Sequence, residues 1–190
     1  MKDNFIPYGK QKVTSEDIAS VVDILNSDFL TQGPAVTQFE SALREVCHAK
    51  YTTVFSSATA ALHIACKALD VGKGDIVWTS PNTFVASANC VLYCGAKIDF
   101  VDICPKTLNM SLEKLQEKLL KAKQDNTLPK VVIPVHFAGQ SCDMKKIKQL
   151  SEQYGFFIIE DAAHAIGSQY LNHPVGDCQY SDICVFSFHP

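Results

Sequence analysis

Three stretches of this chain place side chains capable of chemistry directly after short apolar runs. The first is Phe156-Phe157-Ile158-Ile159-Glu160-Asp161-Ala162-Ala163-His164-Ala165. It reads as a strand buried on both faces that ends on carboxylates, with small residues and a histidine following. In open α/β sheets, ligands bind outside the carboxyl ends of the strands. An acid at that place, next to Ala-Ala rather than bulk, is positioned to meet a ligand, although capping of the next turn would use the same residue. A carboxylate buried beside a heteroaromatic nitrogen holds that nitrogen protonated through a charge-assisted hydrogen bond. The second stretch, Ser56-Ser57-Ala58-Thr59, leads into an apolar helical segment. Small side chains there let a phosphate approach, the free N–H groups and positive end of the helix bind it, and the hydroxyls add donors. Plain helix capping accounts for the same serines and threonine. The third, Asn82-Thr83-Phe84-Val85, follows a short strand. An aromatic there stacks on a planar ring or packs into the core.

A phosphate cradle, a ring stack and an acid for a ring nitrogen together describe a site for pyridoxal 5'-phosphate (PLP), whose pyridine must stay protonated to act as an electron sink. No Gly-x-Gly-x-x-Gly and no Gly-Lys-Ser/Thr is present, so a dinucleotide fold or a nucleoside triphosphatase finds little support.

The elements that must position these residues follow from periodicity. Thr14, with Asp17 three residues on, caps a helix carrying Ile18, Val21, Val22 and Leu25. Pro34 starts a second helix with Val36, Phe39, Leu43 and Val46 on one face. Thr52–Phe55 reads as a short strand, and 58–69 as a helix apolar nearly all round, hence buried. Strands are expected at 76–79, 97–101, 131–135, 156–160 and 182–188. Helices are expected at 83–93, from Ser111 through Leu120, and from Asp143 to Tyr154, with a hairpin or turn over 168–176. Alternation of helices with short β-rich runs predicts βαβ units and an α/β architecture built on a mostly parallel sheet flanked by helices. Residues 30–190 read as one domain, with residues 1–29 as an attached N-terminal arm and helix.

Composition narrows the classes further. The chain has 190 residues, 47% hydrophobic and 19% charged, with a formal charge of −3. That suffices for one core. The charges are scattered, so no basic block points to nucleic acid. No stretch approaches a membrane span, and the N-terminus lacks a signal peptide's apolar segment, which implies a cytoplasmic protein. Eight cysteines occur without any Cys-x-x-Cys; they read as reduced, small core residues, and their spacing fits no structural zinc pattern. The C-terminal run Ser181–Pro190 looks like a core strand entering a loop, with no polar tail or capping helix behind it, so the chain is expected to stop inside a domain.

Four motifs resemble one family. Ser57-Ala58-Thr59-Ala60-Ala61-Leu62, Asn82-Thr83-Phe84-Val85-Ala86-Ser87-Ala88-Asn89, Glu160-Asp161-Ala162-Ala163-His164-Ala165 and Phe186-Ser187-Phe188-His189-Pro190 are similar, in order and rough spacing, to those of the DegT/StrS-type sugar-nucleotide aminotransferases. The resemblance covers essentially the whole chain and implies a fold type I PLP-dependent transferase large domain. Leu30-Thr31-Gln32-Gly33 and His136-Phe137-Ala138-Gly139 look most like members acting in pseudaminic acid synthesis, which aminate C4 of a UDP-linked 4-keto-6-deoxy sugar with L-glutamate as donor. Carried over residue by residue, the resemblance implies that Ala58, through its backbone, and Thr59 bind the PLP phosphate beside Ser57. It implies that Phe84 stacks on the ring, Asp161 pairs with the pyridine nitrogen, His164 lies near the ring hydroxyl and Ser187 reaches the phosphate. Tyr8 and the Asp28-Phe29-Leu30-Thr31 loop would line the sugar-nucleotide end.

The same resemblance places the lysine that bonds the cofactor's aldehyde five residues after Ser187, at position 192, beyond Pro190. Members of the family are about twice this length, carry a smaller C-terminal domain and are homodimers with the site at the subunit interface. The chain is therefore expected to be the N-terminal part of such an enzyme and inactive by itself. Other activities on the scaffold remain open: another sugar aminotransferase, a sugar 3-dehydratase with histidine in place of that lysine, or a catalytically inactive module that binds PLP or sugar nucleotide.

Overall fold

A computed structural model describes residues 11–189. Two helices come first, α1 (Ser15–Leu25) and α2 (Pro34–Cys47). There follow α3 (Ala58–Ala68), β1 (Ile76–Thr79), α4 (Ala86–Tyr93), β2 (Lys97–Phe100), α5 (Leu112–Gln124) and β3 (Val131–Ile133). After a short 3₁₀ turn, Phe137–Gly139, come α6 (Met144–Tyr154), β4 (Phe157–Asp161), a small hairpin of β5 (Gln169–Tyr170) and β6 (His173–Pro174), and β7 (Ile183–Val185).

The main sheet has five strands in the order β2-β1-β3-β4-β7, and every pairing in it is parallel. The parallel α/β architecture expected from the sequence is therefore the observed one. Strand alternation sorts the core into two layers. Val77, Val131, Ile133, Ile159 and Val185 pack with Leu62, Ala65 and Cys66 of α3 and Cys90 and Val91 of α4. Trp78, Val132 and Ile158 pack on the other face with Leu115 and Leu119 of α5 and Ile147 of α6. Chain direction from β1 leads outward to β2, whereas from β3 it leads the opposite way to β4. The crevice at the carboxyl ends of β1 and β3 is thus a topological switch point, the usual ligand position of such sheets.

Several elements differ from the sequence-based expectation, each for a local reason. Thr52–Phe55 is not a strand. Its polar groups turn instead to α2, the Thr52 hydroxyl donating to the Glu40 carbonyl (2.5 Å) and the Val54 N–H to Glu40 Oε1 (3.0 Å). The ladder of β3 stops at Ile133 because Pro134 has no N–H to give; Val135 rejoins through a single bridge to Asp161. The last strand covers only 183–185 because β4, its one neighbour, ends at Asp161. Helix α4 begins at Ala86 rather than Thr83, after i→i+3 bonds from the Ser87 and Ala88 amides to the Phe84 and Val85 carbonyls.

Helix α1 has the full capping box, with the Asp17 amide donating to Thr14 Oγ1 (3.3 Å) and the Thr14 amide to the Asp17 carboxylate (2.8 Å). Its apolar residues Ile18, Val21, Val22 and Leu25 are nevertheless all exposed, as are Val36, Phe39 and Val46 of α2. Helix α3, expected to be buried all round, buries only Leu62, Ala65 and Cys66 and leaves Ile64 exposed.

Candidate active site

The site begins with the alternation of β4. Ile159 and Asp161 face α3 and α4, and Ile158 and Glu160 face the opposite layer. Asp161 is only 4% exposed. Its Oδ2 accepts from Ser87 Oγ at 2.5 Å and its Oδ1 from the Ala163 amide at 3.2 Å. Ser87 is fixed in turn by the Thr83 hydroxyl at 2.8 Å. A carboxylate has about four acceptor sites, so two remain for a donor brought by a ligand. Asp161 does more than cap a turn: a buried carboxylate with one donor from α4 and open acceptor capacity suits a protonated ring nitrogen.

Capping of α3 by Ser57 is also present, but it does not exhaust the helix end. Ser57 Oγ accepts from the Ala60 amide (3.1 Å), and the Ser57 carbonyl from the Ala61 amide (3.0 Å). The amides of Ala58 and Thr59, in the first turn, have no partner within the helix and point along its positive axis. Because α3 packs across a parallel sheet in the sense opposite to its strands, this end lies at the carboxyl edge; Ala58 and Ala61 rest against the cluster that contains Ile159 and Val185. Ser187, half-buried, follows the end of β7 at the same edge, and its hydroxyl accepts from the His189 amide (3.3 Å).

Phe84 does not pack into the core. It is 74% exposed at the loop after β1, where its ring is available to cover a planar ligand. His164 is exposed, and its backbone lies against the 3₁₀ turn: a Cβ on Gly139, which has φ +84°, would come within 2.8 Å of the His164 carbonyl oxygen. The Ser168 hydroxyl donates to the Gly139 carbonyl (2.8 Å), so the turns after β3 and β4 are clasped together. Asp28, Phe29, Leu30 and Thr31 are exposed in the α1–α2 connection, held locally by the Phe29 amide donating to Ser27 Oγ (3.3 Å). Among the described residues, no hydrogen bond links them to the Asp161 edge. Tyr8 lies outside the described residues.

Some supporting residues escaped the sequence reading. Ser87, Asp161's donor, lies inside the Asn82–Asn89 motif; its signal is a hydroxyl at the start of a mostly apolar helix. A second buried group stands behind Asp161. The Cys142 amide donates to His136 Nδ1 (3.3 Å), so the ring proton sits on Nε2 and is given to Glu160 Oε2 at 2.6 Å. The Ser181 hydroxyl donates to the other Glu160 oxygen. All three side chains are buried. The strut ties the ends of β3 and β4 to the approach to β7. Asn109 adds a third support, accepting from the Phe137 amide (3.0 Å) and donating to the Gln140 carbonyl (2.9 Å).

The donors and acceptors present suit PLP: unpartnered helix-end amides for the phosphate, an exposed ring for stacking, and a buried acid for the pyridinium. Among the described residues no group of three or more His, Cys, Asp or Glu is arranged to hold a metal ion, and no helix is long and apolar enough to cross a membrane.

Known proteins share this sequence and fold. The chain is 40% identical, over 97% of its length, to UDP-4-amino-4,6-dideoxy-N-acetyl-beta-L-altrosamine transaminase of Campylobacter jejuni, covering 47% of that protein. Its fold matches Helicobacter pylori PseC, an aminotransferase involved in the biosynthesis of pseudoaminic acid, with a TM-score of 0.87 at 32% identity over 96% of this chain and 47% of that one. It matches Spr1654 of Streptococcus pneumoniae in its PLP-form with a TM-score of 0.84 at 31% identity, over 97% of this chain and 49% of that one. The chain spans about half the length of the curated relatives it matches. A family model fits residues 11–190, and the chain belongs to the DegT/DnrJ/EryC1/StrS aminotransferase family.

Proposed function

We propose that this chain supplies the cofactor-binding half of a PLP-dependent aminotransferase that moves an amino group from L-glutamate to a UDP-linked 4-keto-6-deoxy sugar, in the manner of pseudaminic acid synthesis. Residues 30–190 form the PLP-binding domain and residues 1–29 an N-terminal arm and helix, with Tyr8 and the Asp28–Thr31 loop lining the sugar-nucleotide end. The observation that carries the reading is Asp161, buried at the carboxyl end of β4 with acceptor capacity to spare. The names of the Campylobacter and Helicobacter relatives support the sugar class. The exposed apolar faces of α1 and α2 support assembly as a homodimer, and the free cysteines agree with the reducing cytoplasm.

PLP, when bound, supplies the electron sink that lets a C–H bond beside an amine be broken. The chain's own part is to bind and orient. The Ala58 and Thr59 amides, the α3 dipole and the Ser57 and Ser187 hydroxyls hold the phosphate dianion. Phe84 covers one ring face. Asp161 keeps a proton on the ring nitrogen, and Ser87 fixes the carboxylate that does so. The lysine expected at position 192 is assigned to no residue of this chain.

The test is a PLP titration followed by absorbance. Saturable binding is expected, weakened at least about tenfold by Asp161→Ala, the effect of losing one charged hydrogen bond of roughly 1.5–3 kcal/mol. Borohydride treatment of the mixture is expected to leave no lysine of the chain stoichiometrically modified. Equal affinity in Asp161→Ala sinks the assignment of the acid, and a stoichiometric lysine adduct sinks the assignment of the lysine.

A further inference from the structure

The core between α3 and α4 holds three thiols that the cofactor site does not use. Cys66 on α3 and Cys90 on α4 are both 0% exposed, and their Sγ atoms lie 3.7 Å apart. Cys94, at the C-terminal end of α4, is half-buried and packs against the same cluster. In the neutral pair the Cys66 S–H points to Cys90 Sγ, and the Cys90 S–H donates to the Ser87 carbonyl at 3.4 Å. The Cys90 thiol, and to a smaller degree that of Cys94, holds the Cys66 pKa below the ordinary thiol value, although burial opposes them. The Cys90 and Cys94 thiols are themselves pushed up, Cys90 by the Cys66 sulfur and burial, Cys94 by burial and then the Cys66 sulfur. The acidic thiol, the attacking form once ionised, is thus the central one of three.

We propose that Cys66, Cys90 and Cys94 form a thiol modification site at which a hydroperoxide closes a Cys66–Cys90 disulfide, with Cys94 as the point of entry. Cys94 is the member that solvent reaches; burial pushes its thiol up, so access and not acidity makes it the entry. Its sulfur takes an oxygen from the hydroperoxide, giving Cys94–SOH and releasing the alcohol, or water from hydrogen peroxide. Cys66 thiolate attacks that sulfur; the S–S bond forms and the displaced hydroxide leaves as water with the Cys66 proton. Cys90, deprotonating, then attacks Cys66 sulfur, and Cys94 leaves as thiolate and takes up the proton. In sum, two thiols and one hydroperoxide give one disulfide, one alcohol and one water.

The product reaches the cofactor site through one turn of helix. A disulfide has sulfurs about 2.05 Å apart, so closure from 3.7 Å brings them together by roughly 1.6 Å. It also removes the S–H that Cys90 gives to Ser87. The hydroxyl of that same Ser87 donates to Asp161 at 2.5 Å, and part of the closing motion falls on it. Oxidation is therefore expected to weaken PLP binding, a consequence that rests on the functional reading above.

Peptide mapping tests the disulfide without reference to PLP. The reduced chain is treated with one equivalent of hydrogen peroxide, denatured in iodoacetamide and digested with trypsin. Peptide 51–67, which carries Cys66, is expected to be joined to peptide 74–97, which carries Cys90 and Cys94, at two hydrogens below their summed mass. Fragmentation assigns the bond to Cys90, and dithiothreitol reverses it. Cys94→Ser is expected to slow closure, and Cys90→Ala to leave no Cys66–Cys90 bond. Free alkylated Cys66 and Cys90 after oxidation overturn the proposal, and unchanged closure in Cys94→Ser overturns the entry route. PLP titration of both forms then tests the coupling, with about a tenfold weakening expected, the effect of one displaced charged hydrogen bond. Equal affinity in the two forms overturns the coupling. Absence of binding in the reduced form overturns both the coupling and the cofactor reading, while mapping still decides the disulfide.

Discussion

Ser87 is the least conspicuous residue of the site, and removing its hydroxyl tests how Asp161 is held. The bond to Asp161 Oδ2 is 2.5 Å long and buried, and a hydrogen bond to a charged group contributes about 1.5–3 kcal/mol. Ser87→Ala removes it and leaves the carboxylate with the Ala163 amide alone among the donors described here. For a chain of this size about 2–4 °C of melting temperature corresponds to each kcal/mol. Ser87→Ala is thus expected to melt roughly 3–12 °C below the parent. A packing loss at position 87 would not depend on Asp161, so the decisive assay is a double-mutant cycle with Asp161→Ala, which leaves no acceptor, by thermal or urea unfolding. The coupling energy is expected to be about 1.5 kcal/mol or more. If the two substitutions add within about 0.5 kcal/mol, Ser87 does not hold the charged Asp161, and the site's geometry needs another explanation.

Other perturbations have definite expected outcomes. His136→Leu leaves Glu160 buried without the Nε2–H donor and the Cys142 amide without its acceptor; urea unfolding is expected to show a loss of about 3–5 kcal/mol, against about 1.5–3 kcal/mol for Ser181→Ala. Gly139→Ala and Gly155→Ala both place a side chain at positive φ, but only Gly139 would push a Cβ onto backbone, the His164 carbonyl; its melting temperature should fall further, by the equivalent of about 1 kcal/mol or more. Burial pushes the Asp75 carboxyl up, but Lys130 at 2.9 Å and the Gly72 amide at 2.9 Å hold it, on balance, below its usual value. A depressed carboxylate contributes stability above its unfolded pKa and loses it as pH falls through the folded one. Asp75→Asn should therefore destabilise by up to about 1 kcal/mol at neutral pH, a difference that vanishes on acidification below about pH 4.

What was legible in the sequence is what chain-local physics encodes. An apolar run broken by Asp161 marks the end of a buried strand, and Ser57 before an apolar helix marks a cap; both lie where the sequence placed them. Thr52–Phe55 was misread because β-rich composition is only half of a strand: the other half is a neighbouring ladder, and here Glu40 of α2 takes that place. The apolar stripe of α1 was legible, but nothing within the stripe says what covers it. Ser87 and Asp161 are separated by 74 positions, and Glu160 and His136 by 24. No local pattern reveals such pairs, because each member looks like an ordinary polar residue until the sheet order brings strand ends together.

That sheet order also explains why the supports lie where they do. Residues at the carboxyl edge come from α3, from the loop and helix after β1, and from the ends of β3, β4 and β7. A parallel strand end exposes carbonyls and amides that its neighbours no longer satisfy, so the edge must be closed by side chains or by a ligand. Here one face is closed by His136, Glu160 and Ser181 with their partners satisfied internally. On the other, Asp161 is met by one hydroxyl from α4 and the Ala163 amide, and the Ala58 and Thr59 amides have no partner within α3. The asymmetry fits the proposed roles: the satisfied face holds the strands, and the unsatisfied one is the face proposed to receive the ligand. Substitutions in the His136–Glu160 strut should then lower stability and PLP affinity together, whereas Phe84→Ala, at an exposed ring, should lower affinity alone; a Phe84→Ala chain that loses stability but binds PLP as the parent does would reverse that assignment.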